Sequence, residues 1–117
     1  EMGPEPVQEM VAAFRQRRDA MLARLRALDG VECPQPEGAF YLFPDVSAYY
    51  GRRTASGALI EGSVELCTYL LEDHGVALVP GVAFGDDDGV RISYASSMEA
   101  LMEAADRIET GLAALEG

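Results

Sequence analysis

Val90-Arg91-Ile92-Ser93-Tyr94-Ala95, followed at once by Ser96-Ser97-Met98-Glu99-Ala100-Leu101-Met102, decides how this chain folds. The first segment is β-branched and aromatic at alternate positions, the composition of a strand with one face inward. In the second, Met98, Leu101, Met102, Ala105, Ile108 and Leu112 recur at helical spacing over several turns. Ser96 and Glu99 stand at capping-box spacing, which predicts that this helix starts at Ser96. A strand that runs directly into an amphipathic helix places both kinds of element in one core.

Upstream, an acidic turn, Gly85-Asp86-Asp87-Asp88-Gly89, leads into that strand. Before it, Val76 to Val79 predicts a short buried strand and Pro80-Gly81 a turn. A helix from about Ser63 to His74, ended by Gly75, carries Val64, Cys67, Leu70 and Leu71 on one face. Ser47 to Ser63 has no periodicity and reads as a long connection. Ala39 to Phe43, stopped by Pro44, predicts a strand, and Val31 to Cys33 a shorter one. The first helix runs from about Pro4 to Leu28 on the stripe Val7, Met10, Val11, Phe14, Met21, Leu25 and Leu28. That stripe packs either on the chain's own sheet or on something outside it. The elements together predict an α+β fold: a two-layer small domain with helices packed on a three- to four-stranded sheet, occupying residues 1–117 without an internal boundary.

Composition narrows the function. An apolar fraction of 49% with 25% charged residues is ordinary for a folded globular chain. A net charge of -11 argues against nucleic acid or an anionic membrane as partner, since such binding needs clustered cations. No apolar run approaches the roughly 20 residues needed to span a bilayer, and a cytoplasmic protein is expected. The two cysteines, Cys33 and Cys67, are too few for a disulfide scaffold or a zinc site and read as buried thiols. All nine cationic side chains are arginines; the chain has no lysine.

Arg91 is the residue with the clearest chemical potential. An arginine between apolar strand residues costs desolvation energy unless an anion or carbonyl groups meet its donors, and its planar fork suits a carboxylate. Two readings stand: a ligand carboxylate, or an ion pair with Asp86, Asp87 or Asp88. Those three acids lack the alternation, glycine and glutamate of a calcium loop, so they read as a solvated turn and no metal site is expected. His74 reads as a helix-terminal cap. Phe40 and Tyr41 read as core or sheet-surface residues. The glycines of Val79-Pro80-Gly81-Val82-Ala83-Phe84-Gly85 either admit a ligand close to the backbone or simply form turns, and no helix follows them to cradle a phosphate.

In order, Pro36-Glu37-Gly38-Ala39-Phe40-Tyr41, Tyr69-Leu70-Leu71-Glu72, Val76-Ala77-Leu78-Val79-Pro80-Gly81, Ala83-Phe84-Gly85-Asp86-Asp87 and Arg91-Ile92-Ser93-Tyr94-Ala95-Ser96 resemble the C-terminal small domain of class I aminotransferases. The nearest subgroup is the bacterial aspartate aminotransferases, including those that accept prephenate. The resemblance implies a transferase of amino-acid metabolism that moves an amino group between an amino acid and a 2-oxo acid using pyridoxal phosphate. It implies that Arg91 binds the substrate α-carboxylate in a two-point salt bridge and that Phe40 lies close to the substrate. It further implies that a large domain, absent from residues 1–117, carries the cofactor's Schiff-base lysine, that the longer protein is a homodimer, and that this chain alone is catalytically silent with no cofactor or catalytic residue of its own. Arg52 and Arg53 are candidates for a second substrate carboxylate but read as solvated. A non-enzymatic α+β amino-acid-binding or regulatory module is the alternative.

Overall fold

In a computed structural model, which describes residues 5–34, 41–94 and 96–116, the last helix starts one residue later than the capping-box spacing predicts. This helix, Met98–Ala113, is α3 when helices are numbered along the chain. Its N-cap is Ser97, whose Oγ accepts the Ala100 N–H at 3.1 Å. Three residues beyond Ser97 stands an alanine, which has no side chain to reach back, so the cap is one-sided. The stripe itself holds: Leu101, Ala105, Ile108 and Leu112 are buried, with Met98 partly exposed at its start.

The first helix, α1, spans Glu5–Arg26. Its C-terminal half buries Met21, Leu22 and Leu25, while Met10 and Val11 are exposed and Phe14 is half-buried. Helix α2, Ser63–His74, has the predicted bounds but only part of the predicted face, Cys67 and Leu70. Ser63, Leu66, Cys67, Tyr69 and Leu70 point inward, whereas Val64 and Leu71 are about half exposed. A long-range contact accompanies the difference: the Ser63 hydroxyl donates to Asp87 Oδ1 at 2.7 Å, with the first residue of the helix turned into the interior.

Strands β1 (Tyr41–Leu42), β2 (Val79–Pro80) and β3 (Val90–Ser93) form a three-stranded antiparallel sheet in the order β1-β3-β2. The sheet is smaller than predicted at two places. Val31 to Cys33 contributes only a single bridge, Glu32 to Asp45, because Pro34 has no N–H with which to extend the ladder. Val76 to Val79 does not act as a unit either. Gly75 takes a left-handed conformation at φ 70°, and the Val76 N–H turns back to donate to Leu70 O at 3.0 Å. This helix-terminating bond consumes Val76, and strand pairing begins only at Val79. The 47–63 connection is irregular as expected, with a 3-10 turn at Ser47–Tyr49 and a tether in which the backbones of Arg53 and Glu116 exchange hydrogen bonds of 2.7 and 2.9 Å.

Helix α3 packs against both α1 and α2, and α2 packs on β2. Met21, Leu25, Leu42, Ile60, Leu66, Leu70 and Leu112 are fully buried at the centre. Each such side chain contributes about 1.5–3 kcal/mol relative to exposure. Among the described residues, no helix is long and apolar enough to cross a membrane. The helices cover one face of the sheet and leave the other open.

Candidate functional site

The open face is set by the register. Val79 lies opposite Arg91 across β2 and β3, and Tyr41 lies opposite Ser93 across β1 and β3. Side chains alternate along a strand, so Arg91, Ser93, Val79 and Tyr41 share one face while Leu42, Val90 and Ile92 line the other. The second set is buried and belongs to the core. The first is turned outward, with Tyr41 39% and Val79 37% exposed beside a half-buried Arg91.

The guanidinium of Arg91 is held by two rings. Its central carbon lies 4.7 Å from the centroid of Tyr41 and 4.4 Å from that of Phe84. Each contact is within the roughly 6 Å range of cation–π attraction, worth about 0.5–1 kcal/mol at a partly exposed site. Among the described residues no carboxylate pairs with Arg91. Two of the three acids just upstream are engaged elsewhere: Asp86 Oδ1 accepts the Asp88 N–H at 3.1 Å, and Asp87 Oδ1 accepts from Ser63. The ion-pair reading of Arg91 therefore loses its partners, and the anion-binding reading gains geometry.

Phe84 reaches Arg91 from the 3-10 turn Gly81–Phe84, which leaves β2 and is closed by Gly85 in a left-handed conformation. Gly81 is required there, because a Cβ would collide with the carbonyls of Asp86 and Gly89 and with the Phe43 ring. The close approach that Gly81 allows is thus of the chain to itself, and Gly85 serves the turn through its positive φ. Asp87 Oδ1 accepts both the Ser63 N–H at 3.1 Å and the Ser63 hydroxyl. These bonds hold its carboxyl below the ordinary carboxylate value, against a small opposing effect of desolvation.

Phe40, the other predicted substrate-binding residue, lies outside the described residues. Cys33 and Cys67 are buried free thiols, as expected. Burial pushes both upward, Cys67 to about 11, so neither is an activated nucleophile. His74 does not cap its helix. Its Nε2 lies 3.0 Å from the Tyr69 hydroxyl, which itself donates to Gly111 O at 2.8 Å, so the ring nitrogen is the donor. Gly75 terminates the helix instead, and Arg107 donates to the carbonyls of His74 and Gly75. Arg52 lies 4.6 Å over the Tyr49 ring and Arg53 donates to Gly57 O, both serving the irregular connection. No metal-binding group of side chains occurs among the described residues. A groove of about 260 Å³ between the 54–60 segment and α2 does not include Arg91, which stands on an open face.

Sequence reasoning missed the clamp around Arg91 and the Ser63–Asp87 contact. Period-two alternation from Arg91 to Ser93 would have identified the outward face, but the partners on it depend on register and loop path.

Residues 2–108 match the family model described as aminotransferase class I and II. The chain is 53% identical over 110 residues to an aspartate aminotransferase of Pinus pinaster, covering 94% of this chain and 22% of that protein. It is 46% identical to a bifunctional aspartate aminotransferase and glutamate/aspartate-prephenate aminotransferase of Petunia hybrida, covering 97% of this chain and 24% of that one. The crystal structure of the aspartate aminotransferase from Rhizobium meliloti superposes with a TM-score of 0.90 at 44% identity, covering 93% of this chain and 27% of that one. The chain spans about a quarter of the length of the relatives it matches.

Proposed function

The chain belongs to the class I and II aminotransferases, and from that premise we propose that it is the C-terminal small domain of an aspartate aminotransferase whose Arg91 grips the α-carboxylate of the amino acid and of the 2-oxo acid. The observation that carries this reading is the clamped guanidinium: two aromatic rings lie against it, and no carboxylate of the described residues pairs with it. A bidentate carboxylate meets that requirement. Phe40, by family resemblance, stands near the bound substrate. An open sheet face is half of such a site, and closing it against a second surface excludes water and strengthens the charge pairing.

Pyridoxal phosphate supplies the electron sink for amino-group transfer in this family. The residues of this chain do not fit the task of anchoring it, because the chain contains no lysine. Its own residues bind and orient substrate; the reacting groups belong to the large domain of a longer protein. The exposed Met10 and Val11 on α1 are consistent with packing against that domain. By the same family resemblance the longer protein is read as a cytoplasmic homodimer.

Arg91→Ala in the full-length protein tests the reading. We expect the KM for aspartate to rise and kcat to fall together, because a substrate held by one contact fewer is also less well aligned. Wild-type kinetics in that variant would overturn the assignment of Arg91.

A further inference from the structure

We propose that Asp87 is a positioning residue for the carboxylate grip: through the buried Ser63 it pins the 81–89 loop so that Phe84 stays against the Arg91 guanidinium. This inference rests on the reading of Arg91 given above. It concerns what holds Phe84 in the clamp, since the pairing of β1 with β3 already sets Tyr41 beside Arg91.

Phe84 is 49% exposed. Packing around its ring is therefore too thin to fix it, and its place over Arg91 depends on the backbone that carries it. That backbone is tied on both sides of Phe84 to one buried hydroxyl. Ser63 is fully buried; its Oγ donates to Asp87 Oδ1 at 2.7 Å and accepts the Val82 N–H at 3.2 Å. The Ser63 N–H donates to the same Asp87 oxygen at 3.1 Å. One tie thus falls two residues before Phe84 and the other three residues after it.

The remaining bonds close the loop on itself and on the body of the domain. Gly81 N–H donates to Gly89 O at 2.9 Å and Asp86 N–H to Gly81 O at 3.0 Å. The Tyr50 hydroxyl donates to the Asp87 carbonyl at 2.6 Å. Asp87 also sits against the first turn of α2, where a carboxylate is favoured by the unpaired N–H groups and the helix dipole. Removing its side chain frees one flank of the loop while leaving Arg91 and the sheet register untouched. Arg91 then keeps Tyr41 but loses a fixed second ring, and more side-chain freedom must be given up when a carboxylate binds.

The test is the inhibition constant of succinate, a dicarboxylate with no amino group, against the full-length holoenzyme and its Asp87→Ala, Asp87→Asn, Phe84→Ala and Arg91→Ala variants. Succinate reads the grip without the chemistry, and a loss of folded enzyme alone does not change an inhibition constant. Asp87→Ala is expected to weaken succinate about two- to fivefold, the scale of one cation–π contact. Asp87→Asn, which keeps an acceptor oxygen for Ser63, is expected to recover most of that loss. The double variant with Phe84→Ala is expected to be no weaker than Phe84→Ala alone, since both remove the same contact. If Asp87→Ala does not fold, Ser63→Ala removes the hydroxyl that joins Asp87 to the Val82 N–H and leaves only the Ser63 N–H on Asp87; it is expected to weaken succinate at least as much, and an unchanged constant there would likewise overturn the proposal. An unchanged constant in Asp87→Ala, or losses that multiply in the double variant, would overturn the proposal while leaving Arg91 as the anchor. An unchanged constant in Arg91→Ala would overturn both.

Discussion

The two faces of the sheet are built from neighbouring residues and obey different rules. On the inner face Leu42, Val90 and Ile92 are buried at 5% exposure or less, and any side chain of similar volume and polarity would serve. One residue along each strand, the outer face carries Tyr41, Arg91 and Ser93, and there identity matters more than volume. A guanidinium set against two rings is costly to place beside apolar neighbours and adds little to stability. The inner face explains why the domain folds; the outer face explains why it is worth having.

Adjacent substitutions should separate the two. Leu42→Ala empties a fully buried position and is expected to cost about 2–5 kcal/mol in chemical denaturation. Tyr41→Ala, one residue away, is expected to change stability by less than about 1 kcal/mol, yet to weaken carboxylate ligands about two- to fivefold through the lost ring. Equal stability losses at the two positions would show that the outer face is also core. Between them in size, Ser97→Ala removes the α3 cap and should cost about 1 kcal/mol with no effect on ligand binding, because it lies at the helix end rather than on the clamp.

A smaller effect sharpens the inner side. Burial raises Cys67 to about 11, above its ordinary value of 9.0. The folded state favours the neutral thiol, so this contribution is fully present below about pH 9 and is lost as pH rises toward 11. Tyr50, also raised by burial and by the charges of Asp87 and Asp88, adds to the alkaline loss at higher pH. Denaturation midpoints followed from pH 8 to 11 should fall, and Cys67→Ala should flatten the first part of the fall. Asp87 acts in the opposite direction: its lowered value makes its contribution fully present above the ordinary carboxylate range and lost as pH falls below it.

Much of this division was legible in the sequence, and the failures have definite causes. The α3 stripe and the bounds of α2 follow from periodicity and from Gly75, which are local signals. The α+β layering and the small sheet followed from the same patterns. The inward face of α2 followed only at Cys67 and Leu70, because Ser63 meets Asp87 across 24 positions of sequence. The strand expected at Val76 failed because the helix-ending bond to Leu70 claims that residue first. Arg91 was visible as an arginine out of place in a strand, but choosing between Asp86, Asp87, Asp88 and an external carboxylate needed to know what those acids touch. Family membership was legible from the ordered motifs, and the match over residues 2–108 bears it out.

The most direct measurement is calorimetric titration of succinate into the full-length holoenzyme and its Arg91→Lys and Arg91→Ala variants. Loss of the guanidinium is expected to weaken binding roughly 10- to 100-fold, the value of about 1.5–3 kcal/mol for hydrogen bonds to charged groups. Lysine, a point charge without the planar fork, should restore only part of the affinity. Wild-type affinity in Arg91→Ala would contradict the assignment of this face to carboxylate binding.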